Sequence, residues 1–230
     1  MESIRLEMNN NRAAFETYKG RIEDIVWYQE ISGHLIYDVK LAENFWRKTR
    51  FLADGHLVDS PSFITYRTVV SRDSVRILLL VAALNGLEIM GTDIQNAFLS
   101  APNLEKHRIK AWSKFGAEQG KIFLVLRALY GLKSVSAEFL SFMAKNIGNI
   151  SFKSCVADPD IWLRPAVRSD KTEYYEYILM YVDDILEIST NATSILKSQE
   201  GDTVQYKNSK IAPHQMFLGS NLQKKVICSI

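Results

Sequence analysis

The chain has 230 residues, 47% of them hydrophobic and 23% charged, an ordinary globular balance that can build one sizeable core or two small lobes. A net charge of +2 and a pI near 8.4 permit nucleic-acid binding without arguing for it. Two cysteines, Cys155 and Cys228, support neither a disulfide framework nor a zinc site and fit a reducing, intracellular compartment. The apolar run Ile77–Leu84 is far too short to span a bilayer, and Met1–Asn11 has no apolar signal core. The expectation is a soluble protein with no membrane partner.

Spaced apolar residues from Ile4 to Phe15 predict a helix, broken near Asn9–Asn11 and stopped by Gly20. His34–Val39 has the look of a short strand. Phe45–Leu52 then alternates basic and apolar residues up to a turn at Asp54–Gly55. On a strand, Lys48 and Arg50 point to one face and could grip phosphates. A solvated edge strand guarded by charge is the bland alternative, slightly favoured on these residues alone. The clearest helix runs over Ser71–Gly86, capped by Ser71 or Ser74 and closed by Gly86. Its apolar residues cover most of the circumference, which predicts burial all round. Leu87–Ile94 reads as a strand ending in Asp93. Strands are expected at Arg108–Trp112 and Lys121–Arg127, then a turn around Gly131. A helix is expected over Ser136–Ile147, with Ser134 or Ser136 as cap and Gly148 as stop. Ala157–Arg164 is a turn into a strand. Residues 190–213 show little periodicity beyond Ile195-Leu196, and short strands are expected at Met216–Gly219 and Val226–Cys228. Strands, hairpins and helices in this mixture predict an α+β fold.

Tyr177–Ile188 sets Asp183 and Asp184 between two apolar runs, which reads as strand, tight turn, strand. Paired Asp at a hairpin tip can share a hard divalent cation. Asp is also a common turn residue, and on the pair alone the two readings weigh about equally. Asp93 is a second candidate ligand, with capping of the following turn as its structural alternative. Two-metal phosphoryl transfer uses carboxylates from separate strands to hold two cations roughly 3.5–4 Å apart. Spacing alone does not make the two strands neighbours.

Tyr181-Val182-Asp183-Asp184 is similar to the tyrosine-x-aspartate-aspartate box of reverse transcriptases. Asp93-Ile94-Gln95-Asn96-Ala97-Phe98-Leu99 resembles the aspartate-x-x-asparagine-alanine-phenylalanine-leucine motif of copia-type retrotransposon polymerases. Leu129-Tyr130-Gly131-Leu132-Lys133 resembles their leucine-tyrosine-glycine-leucine-lysine motif. Lys48-Thr49-Arg50 with Ala53-Asp54-Gly55 resembles their lysine-alanine-arginine segment, and Phe217-Leu218-Gly219 their phenylalanine-leucine-glycine. The five occur in the family's order, and together they are far more specific than any one of them.

The resemblance implies a right-hand polymerase within the α+β class: a mainly antiparallel palm sheet with packed helices, plus fingers, with the thumb largely absent. Residues 1–92 would be the fingers side, 93–190 the palm, and 191–230 the start of a truncated thumb. Asp93, Asp183 and Asp184 would hold two Mg²⁺ ions, with Mn²⁺ as the alternative. The primer 3′-hydroxyl would attack the α-phosphate of a deoxynucleoside triphosphate and expel pyrophosphate. Lys48 and Arg50 would contact the triphosphate, and Phe98 would block a ribose 2′-hydroxyl. Tyr130 and Gly131 would lie under the nucleotide, where a missing Cβ allows close approach. Tyr181 and Lys133 would meet primer and template. The implied partners are an RNA or DNA template with its primer, deoxynucleotides, and the RNase H and integrase segments of a Pol polyprotein. A cytoplasmic particle or the nucleus is the implied compartment.

Family members commonly follow the leucine-tyrosine-glycine-leucine-lysine motif with glutamine, proline and tryptophan, where this chain has Ser134, Ser136 and Phe139. The chain stops at Ile230, which leaves little for a thumb and predicts weak template–primer binding. Two competing expectations follow. One is an inactive retroelement remnant that at most binds nucleic acid. The other is a small metal-dependent phosphotransferase on a similar palm.

Overall fold

The computed structural model describes residues 2–40, 45–61, 65 and 69–198, and the short strands at 212–213, 216–217 and 220–221. In chain order the elements are α1 (Glu2–Asn11), β1 (Phe15–Thr17), β2 (Gln29–Ile31), β3 (Gly33–Lys40), β4 (Trp46–Ala53), α2 (Arg72–Leu84), β5 (Glu88–Asp93), α3 (Ala97–Ser100), β6 (His107–Lys110) and β7 (Ile122–Val125). They continue with α4 (Val135–Asn149), β8 (Lys153–Ser154), β9 (Ile161–Val167), β10 (Glu173–Tyr181), β11 (Asp184–Ser189), α5 (Ala192–Ser198), β12 (Ala212–Pro213), β13 (Met216–Phe217) and β14 (Ser220–Asn221). The chain divides into two interleaved units. One comprises Met1–Arg67 and Asn96–Phe142, the other Thr68–Gln95 and Met143–Ile230. The mixed α and β content fits the fold class expected above.

The first unit holds a four-stranded sheet in the order β1-β7-β6-β2, with β2 parallel to β6, and a separate two-stranded ribbon of β3 and β4. Aromatic packing explains why Phe15 leaves the expected helix. Its ring lies 6.0 Å from Phe51, 5.5 Å from Phe115 and 5.9 Å from Phe123, centroid to centroid. Pairing of Phe15 with Val125 in β1–β7 puts the ring there, and that burial overrides local helical preference. Helix α1 therefore ends at Asn11. It backs the ribbon: Glu7 Oε1 accepts the Phe51 amide at 2.8 Å, and Thr49 Oγ1 donates to Ser3 Oγ at 3.0 Å.

The second unit is built on a six-stranded sheet in the order β12-β5-β11-β10-β9-β8, every pair antiparallel. Strand β11 is buried from Ile185 to Ser189, as expected of a strand covered on both faces. Helix α2 lays Val75, Leu78 and Ala82 into a core with Leu179, Leu186 and Ile188. Burial all round does not hold for this helix. Ile77, Leu80 and Leu84 are 61%, 59% and 77% exposed, because only one face meets the sheet. Ser71 caps α2, its hydroxyl accepting the Ser74 amide at 3.0 Å. Replacing Ser71 with alanine should cost about 1 kcal/mol, read as a lower midpoint in urea unfolding with unchanged slope.

Two helix ends differ from expectation. Helix α4 begins at Val135 and runs through Gly148 to Asn149, so Gly148 does not stop it. Helix α5 lies where little periodicity was seen, and its start is marked by Asn191, whose side chain accepts the Ser194 amide at 3.1 Å. The expected strand at Met216–Gly219 is β13 as far as Phe217. Leu218, Gly219 and Val226–Cys228 lie outside the described residues.

Candidate active site

In the second unit, β10 and β11 form a hairpin in which Tyr181 pairs with Asp184, leaving Val182 and Asp183 as the two-residue loop. Val182 has φ 56°. A positive φ at the first loop residue alone is the type II′ pattern, whose twist suits a hairpin. Valine is poorly suited to it, because its branched Cβ crowds the left-handed region. The flanking ladders hold the loop in a conformation that its own sequence disfavours, as strained backbone at functional sites is held.

The same register fixes the carboxylates. Asp184 pairs directly with Asp93 of β5, so Tyr181, Asp184 and Asp93 stand side by side on one face of the sheet. The Asp183 carbonyl accepts the Ile94 amide at 2.9 Å, which ties the loop to the residue after Asp93. Asp93 is exposed, and Asp183 and Asp184 are half-buried. Burial first, and then the charge of Asp183, push the Asp184 carboxyl above the usual carboxylate range. Among the described residues no three His, Cys, Asp or Glu side chains converge into a ready-made metal cage. The donors are nevertheless of the right chemistry for a hard divalent cation: short-armed carboxylates whose mutual repulsion a cation would relieve.

In the first unit, Lys48 and Arg50 share a face of β4, half-buried and exposed respectively. The opposite face buries Thr49, Phe51 and Ala53, and the first two bond to α1. Exposed Trp46 and, across the ribbon, Ile36 opposite Arg50 share the Lys48 face. Sequence alternation identified the cations but not these apolar neighbours.

At the end of β4 the backbone meets the Leu129–Lys133 segment. The Ala53 amide donates to the Tyr130 carbonyl at 2.7 Å. Gly131 has φ 96°, and a Cβ there would overlap the Ala53 carbonyl oxygen. Reciprocally, a Cβ on Gly55 would overlap the Gly131 carbonyl oxygen. Asp54, between them, accepts from Ser32 Oγ and lies against His34 Nδ1, both at 2.6 Å. The Ser32 bond comes first among the causes that hold its carboxyl below the usual range. These contacts were not legible in the sequence, beyond the presence of a glycine in each motif.

Phe98 sits in α3 and is 6% exposed. Its ring centroid is 4.4 Å from Tyr130 and 5.6 Å from Phe139, the latter in a T-shaped arrangement. Lys133 donates from Nζ to the Val58 carbonyl at 2.8 Å and to Ser60 Oγ at 3.3 Å, so it braces the 58–60 segment.

No helix among the described residues is long and apolar enough to cross a membrane. The chain is 27% identical over 135 residues to the "Retrovirus-related Pol polyprotein from transposon RE2" of Arabidopsis thaliana. That match covers 58% of this chain and 9% of the plant protein, so the chain corresponds to a small part of that relative's length. It also matches the family described as Reverse transcriptase (RNA-dependent DNA polymerase) over residues 25–228, nearly the whole sequence. Enzymes of that family generally use divalent metal ions and act on a nucleic-acid template with deoxynucleotides. By that match the chain belongs to the reverse transcriptase family.

Proposed function

We propose that this chain is the polymerase domain of a copia-type retrotransposon Pol protein, extending a primer with deoxynucleotides on an RNA or DNA template. The observation that carries the reading is the direct pairing of Asp184 with Asp93, one residue from Asp183 at a strained turn. Mg²⁺ would be held by Asp93, Asp183 and Asp184, where it would activate the primer hydroxyl and steady the leaving pyrophosphate. The protein's own part is alignment and charge placement, which dominate phosphoryl transfer. On this reading the six-stranded unit is the palm, and β3–β4 with the four-stranded sheet is the fingers side. Tyr181, which shares the face of Asp93 and Asp184, would meet the primer end.

Lys48 and Arg50 would bind the triphosphate from their shared face, and Phe98 would lie against the sugar. Gly131, where a side chain would collide with Ala53, would form the nucleotide floor with Tyr130. Lys133 would reach the template only by exchanging its bonds to Val58 and Ser60.

Primer extension on a homopolymer template with Mg²⁺ tests the reading. The intact chain should incorporate deoxynucleotides. Arg50→Ala should raise the nucleotide KM by about tenfold, the effect of losing one charge-assisted contact, with a smaller change in kcat. No incorporation at any protein concentration would leave the remnant reading standing instead.

A further inference from the structure

The aromatic trio of the first unit carries a consequence for nucleotide choice. Phe139 lies on α4, is fully buried, and makes a T-shaped pair with Phe98 at 5.6 Å with an interplanar angle of 71°. Tyr130 closes on Phe98 at 4.4 Å. Phe98 thus has two close aromatic neighbours and little free surface. Helix α4 is itself pinned beside Phe139: the Glu138 carboxylate, 3% exposed, accepts the Leu104 amide at 2.9 Å. A steric filter discriminates only if it cannot step aside, because a ring that yields by a few tenths of an ångström admits the larger substrate. Close-packed interiors transmit such small changes in volume.

We propose that Phe139 is a positioning residue for sugar selection. It touches no substrate. Its ring sets how far Phe98, and with it Tyr130, stands toward the nucleotide, and so how strongly a 2′-hydroxyl is rejected. The inference rests on the polymerase reading and on Phe98 meeting the sugar.

The test compares wild type, Phe139→Leu and Phe139→Trp in primer extension with Mg²⁺, measuring kcat and KM separately for a deoxynucleotide and the matching ribonucleotide. Leucine removes the edge contact and leaves Phe98 room to retreat. The ratio of kcat/KM for deoxynucleotide over ribonucleotide should fall about tenfold or more, chiefly through a lower ribonucleotide KM. Tryptophan adds volume behind Phe98 and should move the ratio the other way, at some cost in stability. The two variants bracket the wild type, so loss of folding in one leaves the other to decide. Wild-type extension with an unchanged ratio in the folded variants overturns the inference and leaves the polymerase reading intact. Absence of wild-type extension overturns both.

Discussion

Asp184→Asn should lower primer extension by on the order of 10² to 10³ if the chain polymerises as proposed, the scale of losing one group that stabilises charge in the transition state. The same substitution should leave thermal stability unchanged or raised, and this second half separates a cation ligand from a structural aspartate. Burial and the neighbouring Asp183 raise the Asp184 carboxyl above its ordinary value in the folded protein. A group raised in this way binds its proton more tightly when folded. Its favourable contribution is fully present below the unfolded pKa and is lost as pH rises through the folded one. Above that range the ionised Asp184 carboxyl therefore weighs against the fold, and asparagine removes that weight. A divalent cation should do the same by binding the folded state, so added Mg²⁺ should raise the wild-type Tm and do much less for Asp184→Asn. Differential scanning fluorimetry with and without Mg²⁺ checks this without any turnover. A variant that melts well below wild type, with the Mg²⁺ response retained, would assign Asp184 to the scaffold.

Gly131→Ala should have the second large effect. The residue needs a left-handed backbone at φ 96°, and the added methyl would run into the Ala53 carbonyl oxygen. That oxygen belongs to backbone held by the Ala53–Tyr130 hydrogen bond, so it has no rotamer with which to retreat. Backbone strain and overlap together should cost about 2–4 kcal/mol, and the Tm should fall by roughly 5–15 °C. Gly55→Ala meets Gly131 from the other side and should behave alike. Because the two substitutions damage one contact, the double variant should be clearly less destabilised than the sum of the single ones. Additive losses in thermal melts would show that the two glycines act separately.

How much was legible in advance differs from residue to residue. Asp183 and Asp184 announce a hairpin because two charges between apolar runs have few other places to go. Asp93 likewise ends an apolar strand. What no local pattern could supply is the register that makes Asp93 the partner of Asp184, since that register is set by two strands distant in sequence. The buried face of α2 is not legible locally for a related reason. Ile77, Leu80 and Leu84 are as apolar as Leu78, and only the position of the sheet decides which of them is covered. Phe15 was drawn out of its expected helix by three distant aromatic rings. The Gly55–Gly131 contact left no trace except two glycines, because close backbone approach writes only an absence of side chain into a sequence. Helix α5 is short, and its cap at Asn191 was the available signal.

The interleaving of the two units has a consequence during synthesis. Strand β5 emerges carrying Asp93 well before β11 exists to pair with it, and β1 waits as long for β7. At translation rates of about 5–20 residues per second, each is an open edge for several seconds. An exposed strand edge invites pairing with other chains, and a charge at its end is one of the ways such edges are kept apart. Asp93 is placed to guard the nascent strand while β11 is still missing. Neither unit is a contiguous piece of chain, so a single proteolytic cut between elements should release no folded half.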